Sequence, residues 1–484
     1  MQIFAIIAAI LFLVSLVGFV YYCMKGGNLI IGLFITATFW FMLGTIYSVW
    51  NGISANEIKT FADGWNLVVS NINLIYSEGP IKYGTTTTVI IFASWFGRVI
   101  VDTGIAKALI KRVVELSGDK QGITVVALAI VTALLFTSIF GPGSVMAIGA
   151  IILPILLTIG VNKKVAVGSF LMAVAAGMYV NSGYSIQFSQ NPLFVGIWDQ
   201  AIAGNFTMFA WIAFAVHVVI MLGFIVFNLY FSKDKIKAWA MTDDAVEEAD
   251  VKGIAFLVPF IPILLSLLVV LINTIIKMTT PAGQVVTLAT DFAAITSFVV
   301  GIVLGLLVTG NLKSMKKAVE TSQKSLFNGI SDVALLIGML LVMNMFSTAA
   351  GNDIAGPILR AALGNSLDWI VAKPLVIVSI FVVLAPLALF RGPFMIWGSG
   401  IALASVMATI IYGPAGTVVS PLLFVLFYVQ PVAIVAQSCP TQSWGMWALS
   451  YAKYEPNTYI KTNILWAWAI AAINIFLAYF IFMG

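Results

Sequence analysis

Long apolar runs separated by short polar connections fill most of the chain. Each run approaches the roughly 20 residues that a helix needs to cross a bilayer. The runs lie at about 2–23, 29–50, 85–106, 121–139, 144–161, 165–199, 201–231, 253–276, 291–309, 328–349, 374–390, 394–412, 418–453 and 459–483. The pattern predicts an all-α polytopic membrane protein, in which the interrupted runs form discontinuous helices.

The composition agrees with this prediction. Hydrophobic residues make up 61% of the 484 and charged residues only 9%, against about 25% charged residues in soluble domains. A soluble globular protein is therefore excluded. The two cysteines, Cys23 and Cys439, have no metal-ligand or disulfide spacing. The chain also has no nucleotide-binding, HExxH or paired-carboxylate motif, so we expect neither an enzyme nor a bound cofactor or metal.

The basic residues concentrate in alternate connections between the apolar runs. Positions 107–120 and 313–324 are rich in lysine, whereas the connections on the opposite side carry few basic residues. Cytoplasmic loops retain lysine and arginine. This distribution predicts a multi-pass protein of the inner, or cytoplasmic, membrane, with both termini outside and the polar stretch 232–252 inside. The net charge of +5 is thereby explained by topology, and nucleic acid is not an expected partner.

The two halves of the sequence resemble each other. LLFTSIFGPGS (134–144) and LAPLALFRGPF (384–394) each break at Gly-Pro, and each is followed by a polar interruption, at 181–192 and 437–445. Opposite orientation of the two breaks predicts inverted repeats with re-entrant hairpins, a pattern typical of transporters. The predicted units are an N-terminal scaffold (1–84), a first repeat (85–231), a linker (232–252), a second scaffold (253–327) and a second repeat (328–484).

Breaks at membrane depth leave backbone groups that must be buried in protein or must line a cavity. Four paired breaks predict one central site, and helices that begin at Gly143 and Ser144 in one half and at Phe394 in the other would point their N-termini toward an anion. Helix–helix hydrogen bonds or simple kinks are the alternative for each residue. The candidate substrate-binding residues are Gly141, Pro142, Gly143, Ser144, Asn181, Ser182, Gln187, Arg391, Gly392, Pro393, Gln437, Ser438, Thr441 and Gln442.

Charged residues inside apolar runs are costly and are therefore candidates for function. Arg391 directly precedes a break, and its guanidinium suits a carboxylate; an internal ion pair or an interfacial position are the alternatives. Arg98 and Asp102 are four residues apart on one helix and are expected to neutralise each other. Asp332 is a candidate proton carrier, so Asp102 and Asp332 are the candidates for ion coupling.

Two stretches resemble a known family. FASWFGRVIVDTGIAKALIKRVVE (92–115), with its Asp-Thr-Gly ending at 102–104, and QSCPTQSWG (437–445), followed by Tyr-x-Lys-Thr at 459–462, resemble the gluconate:proton symporter family of the ion transporter superfamily. The citrate and C4-dicarboxylate branches fit about as well. The resemblance implies two inverted repeats, a carboxylate substrate, secondary active transport and, often, a homodimer.

Taken together, the sequence predicts a secondary active transporter of a small organic anion, such as a carboxylate or sugar acid. A proton gradient is the coupling source that the resemblance implies. A sodium ion bound at the 181–191 or 437–443 break is the alternative. Two other functions remain open, an ion or anion channel and a citrate or C4-dicarboxylate exchanger on the same scaffold.

Overall fold

The structure is a computed structural model of the chain. It describes residues 2–117, 120–189, 191, 194, 200–230, 253–279, 293–350, 354, 358, 373–398, 400–401, 403–404, 407 and 420–483. Every regular element in these ranges is an α-, 3-10 or π-helix, and none is a strand. The predicted all-α class is confirmed. The linker 232–252 lies outside the described residues, and the inverted-repeat organisation with its unit boundaries stays a prediction.

The N-terminal part consists of four α-helices with one π-helical turn. They are α1 (Gln2–Met24), α2 (Leu29–Ser54), α3 (Phe61–Asn73), the π-helix Leu74–Glu78 and α4 (Gly79–Lys82). Helix α3 begins with a capping box between Thr60 and Asp63, which satisfies exposed N–H groups at the helix start. The apolar pattern predicts no span between 50 and 85, whereas the structure has a helical stretch from Phe61 to Asp102 that is long and apolar enough to cross a bilayer.

The next elements carry the first break. They are α5 (Gly84–Asp102), α6 (Ile105–Ser117), α7 (Gln121–Leu135), α8 (Pro142–Thr158), α9 (Lys163–Met178), α10 (Ser182–Ser189) and α11 (Gln200–Tyr230). The predicted run 121–139 corresponds to the shorter helix α7, because the residues before Gly141 form a turn. The predicted run 144–161 corresponds to α8. Every residue from Val165 to Met178 is buried, so α9 lies at the centre of the fold.

The second half has the same helical character. Its elements are the 3-10 helix Gly253–Phe260, α12 (Ile261–Thr279), α13 (Ala294–Val308), the 3-10 helix Asn311–Lys313, α14 (Met315–Ala350), α15 (Pro374–Val383), the 3-10 helix Ala385–Arg391, α16 (Ser420–Gln430), the π-helix Pro431–Val435, α17 (Ala436–Ser438), α18 (Ser443–Tyr451) and α19 (Pro456–Met483). Helix α14 is the longest and packs against α2 and α5.

Helix length and apolarity agree with a multi-pass membrane protein. Seven helices in the described ranges are long and apolar enough to cross a bilayer, and the number rises to nine if each of two bent pairs is one span. The bent pairs are α9 with α10 (56°) and α15 with the following 3-10 helix (57°). The most apolar stretch of Pro421–Tyr451 is wholly buried, and helices of this broken segment contact α9.

Candidate functional site

The first predicted break is confirmed between α7 and α8. Gly141 has φ of +109°, a backbone conformation that glycine adopts without strain. Pro142 then occupies the first turn of α8, where a missing N–H costs nothing and the fixed φ suits a helix. The N-terminus of α8 therefore lies inside the protein, as the sequence predicts.

The carbonyl groups exposed by the breaks are bound by side chains from other segments of the chain. The Asn181 amide donates to the Phe136 carbonyl at 2.9 Å and to the Ile139 carbonyl at 3.0 Å. The Tyr428 hydroxyl donates to the Tyr179 carbonyl at 2.9 Å, where α9 ends. Asn181, a predicted substrate ligand, thus joins the second break to the first.

The fourth break is held in the same way by the last helix. The Asn463 amide donates at 3.0 Å both to the Gln437 carbonyl and to the Ser438 hydroxyl, and the Tyr459 hydroxyl donates to the same Gln437 carbonyl. Trp444 donates to the Ala436 carbonyl at 2.9 Å. These contacts satisfy backbone groups that no lipid could satisfy.

The third break differs from its prediction. The predicted start of a helix at Phe394 is wrong, because residues 392–398 form successive turns with bonds such as Met395 N–H to the Gly392 carbonyl at 2.9 Å, and the next described helical residues are 400 and 401. A side chain at Gly392 would overlap the Leu387 carbonyl oxygen, so this close turn requires glycine. The bend itself comes earlier, at the Pro386 turn, where proline interrupts helical bonding.

A cavity of about 330 Å³ lies where these segments meet. Seven of the predicted residues line it, namely Gly141, Pro142, Gly143, Gln187, Asp332, Arg391 and Gln442. The others do not line it, and they are Ser144, Asn181, Ser182, Gly392, Pro393, Gln437, Ser438, Thr441 and Asp102. Asn181, Gln437 and Ser438 instead take part in the hydrogen bonds that hold the breaks.

Most of the cavity wall is apolar, and sequence reasoning missed it by following polar residues alone. The apolar and aromatic lining includes Phe136, Phe140, Met146, Tyr184, Leu336, Met339, Met395, Trp397 and Trp444. Tyr184 packs against Phe188, whose ring in turn lies 5.0 Å from that of Trp397. Aromatic residues within a few positions of each break were the available signal.

Arg391 places a guanidinium at the cavity wall. It has φ of +60° in the tight turn before Gly392. The guanidinium donates to the Trp397 carbonyl at 3.1 Å and lies 3.7 Å from the Met339 sulfur. Trp397 and Met339 also line the cavity, so the charged group is held among cavity residues.

A second charged feature of the cavity is an ion pair between α5 and α14. Arg98 donates two hydrogen bonds to the Asp332 carboxylate, at 2.5 and 2.6 Å. The predicted neutralisation of Arg98 by Asp102 is therefore wrong, because Asp102 lies exposed at the end of α5 and accepts a bond from Ser325 at 2.8 Å. Asp102 is closer to Arg98 in the sequence, but Asp332 on the facing helix α14 can accept two hydrogen bonds from the guanidinium.

Asp332 also lies directly against the first turn of α8. A Cβ at residue 143 would overlap the Asp332 carboxylate, so Gly143 allows the acid to approach the helix start. Carboxylates are stabilised at helix N-termini. The anion expected at this helix start is thus, in this structure, the Asp332 side chain.

Among the residues described, no group of three or more His, Cys, Asp or Glu side chains could hold a metal ion.

No family model matches the sequence, and no curated protein matches it either. The resemblance to gluconate:proton symporters therefore stays a prediction. The fold is similar to the crystal structure of the Alcanivorax borkumensis YdaH transporter, with TM-score 0.58, 14% identity, and coverage of 92% of this chain and 97% of that chain. The Neisseria gonorrhoeae MtrF structure, described as illuminating a class of antimetabolite efflux pumps, aligns with TM-score 0.46 and 14% identity over 86% of this chain and 84% of its own. The first similarity indicates that this chain and YdaH share a fold.

Proposed function

We propose that the protein is a secondary active transporter of an organic anion, and that the cavity between the breaks is its binding site. The observation that carries the proposal is the Arg391 guanidinium on the wall of a largely apolar cavity that four chain breaks surround. Transporters place their substrates at such discontinuous helices. The fold shared with a protein described as a transporter supports the same conclusion.

The charges at the cavity favour an anion. Asp332 is neutralised by Arg98 through two short hydrogen bonds, so these two groups and Arg391 together contribute one net positive charge. A guanidinium recognises a carboxylate through two parallel hydrogen bonds. Gln187 and Gln442 add side-chain amides to the same wall, and amides can bind a second polar group of the substrate.

The apolar wall favours a substrate with an apolar body. A sugar acid such as gluconate would bring several hydroxyls into contact with Phe140, Met146, Leu336 and Trp444, and unpaired buried hydroxyls are costly. An aromatic or aliphatic carboxylate would instead bury its body among these side chains. We therefore propose an amphipathic carboxylate rather than a polyol, driven by a proton or sodium gradient.

Uptake into proteoliposomes would test the proposal, with benzoate and gluconate as labelled probes and imposed proton or sodium gradients. We expect benzoate to accumulate above its equilibrium level and gluconate to accumulate far less. Accumulation that never exceeds equilibrium would indicate a channel. Equal uptake of both probes would contradict the apolar-body argument, and no uptake of either would contradict the proposed substrate class.

The role of Arg391 is tested by substitution. Hydrogen bonds to a charged group contribute about 1.5–3 kcal/mol, so Arg391→Ala should weaken benzoate binding by about ten- to a hundredfold. Arg112→Ala is the matched control, because Arg112 is exposed and pairs only weakly with Glu115 at 3.3 Å. Wild-type affinity in Arg391→Ala would remove this residue from the site.

A further inference from the structure

A second buried polar cluster lies away from the cavity, where the end of α14 meets the N-terminal helices. The Asn344 amide nitrogen donates to the Gly79 carbonyl. A Cβ built on Gly79 would lie 3.3 Å from the Thr348 hydroxyl oxygen and 3.7 Å from the backbone carbonyl oxygen of Asn344. The glycine backbone therefore lies close to this face of α14, directly after the π-helix Leu74–Glu78.

Three side-chain oxygens on this face have no hydrogen-bond partner among the described residues. They belong to Asn344, Ser347 and Thr348, which are 0%, 1% and 8% exposed. Residues at these spacings share one helix face. Buried polar atoms in proteins are nearly always hydrogen-bonded, so three unsatisfied oxygens on one face indicate a ligand that interacts with oxygen.

The chemistry of the cluster indicates the class of that ligand. The Asn344 nitrogen is already used in the bond to Gly79, which leaves the amide oxygen, and an oxygen lone pair binds a cation. The cluster lies in the last two turns of α14, which ends at Ala350, and the C-terminal end of a helix dipole stabilises positive charge. Because amide and hydroxyl oxygens suit hard cations and carry no charge here, they favour a monovalent ion over a divalent one.

We propose that Asn344, Ser347 and Thr348 bind a sodium ion through their side-chain oxygens. The site is distinct from the sodium positions predicted at the 181–191 and 437–443 breaks, and none of its three residues lines the cavity. Helix α14 carries both Asp332 and this cluster, which begins about 18 Å and ends about 24 Å from Asp332 along the helix axis. If the protein is the anion transporter proposed above, α14 links the cation site to the substrate cavity.

The test measures sodium binding without any organic anion. Purified full-length protein is melted in sodium, potassium or choline chloride at equal ionic strength. A ligand that binds only the folded state stabilises it by RT ln(1 + [L]/Kd), so the melting temperature rises steadily once the ligand concentration exceeds Kd. We expect sodium to raise the melting temperature with this concentration dependence, and choline not to reproduce it. Equal melting in sodium and choline would overturn the proposal.

Matched variants locate the ion. Thr348→Val removes one oxygen and should weaken apparent sodium affinity by about tenfold or more, whereas Thr348→Ser keeps the oxygen and should retain the affinity. Thr132→Val is the control, because the buried Thr132 hydroxyl already donates to the Leu128 carbonyl at 2.6 Å. If Thr348→Val fails to fold, loss of sodium affinity in Thr348→Ser would overturn the site. Sodium binding without anion uptake would refute the proposed function and leave this site standing.

Discussion

The ion pair between Arg98 and Asp332 should stabilise the fold only as an intact pair. The side chains are only 20% and 11% exposed, and the shorter bond is 2.5 Å. The pair should therefore behave energetically like a buried ion pair. Removing one partner of a buried pair leaves an uncompensated charge and costs about 3–5 kcal/mol. Arg98→Met and Asp332→Asn should therefore each destabilise the protein by about 3 kcal/mol.

The double variant Arg98→Met/Asp332→Asn should be less destabilised than the sum of the two single variants. With both charges gone, no isolated charge remains between α5 and α14, and residues in direct contact commonly show interaction energies of about 0.5–3 kcal/mol. We expect a coupling energy above about 1 kcal/mol. The measurement is reversible unfolding of the purified protein in mixed micelles, monitored by helicity and by tryptophan fluorescence.

The exposed pair of Arg112 and Glu115 is the control for this cycle. Its atoms are 3.3 Å apart and its side chains are 59% and 50% exposed, so Arg112→Met and Glu115→Gln should couple by less than about 1 kcal/mol. Additive effects of the Arg98 and Asp332 substitutions, or wild-type stability of Asp332→Asn, would refute the reasoning that this pair is a desolvated contact between the two helices.

Two further predictions concern a glycine and an exposed acid. Gly143→Ala should displace Asp332 and destabilise the protein, whereas Gly338→Ala, with open space around it, should be neutral or stabilising by up to about 1 kcal/mol in the same unfolding assay; equal effects would contradict the close packing. Hydrogen bonds from Thr458 and from the Asn457 N–H lower the pKa of Glu455 below its usual 4.5. Its carboxylate should thus stabilise the fold above about pH 4.5 and lose that contribution as the pH falls through the lower folded-state pKa. The melting-temperature difference between Glu455→Gln and the wild type should therefore shrink on acidification, and a constant difference would contradict a stabilising role for these hydrogen bonds.

The hydrogen bonds at the breaks indicate why so many amides and hydroxyls interrupt these apolar runs. Asn181, Tyr428 and Asn463 each bind carbonyls on a different segment, so the exposed carbonyls of these breaks are bound by side chains from elsewhere in the chain. A free carbonyl at this depth would cost several kcal/mol. The polar residues of the breaks therefore divide into those that hold the backbone in place and those, such as Gln187 and Gln442, that line the cavity.

The sequence predicts the class of the protein and most of its helices because both follow from local patterns. Apolar run length determines which segments can cross a bilayer, and Gly141-Pro142 marks a break because glycine alone adopts φ of +109° without strain. The prediction fails at Phe394 because the Gly-Pro pattern marks a break but does not specify the turns that follow it, such as the one closed by the bond from Met395 N–H to the Gly392 carbonyl.

The partners of each polar residue were decided only by the tertiary structure. The sequence around Arg98 offers Asp102 as the nearest acidic partner. The actual partner is Asp332, because α14 packs against α5 and brings its carboxylate to the guanidinium. The apolar cavity wall, likewise, is assembled from segments far apart in the chain. The sequence by itself determined that this is an all-helical membrane protein with polar breaks, because helical backbone bonds and the length of apolar runs depend on residues that are close together in the chain. Packing alone decided which breaks meet, since charge pairing and cavity shape depend on contacts between helices.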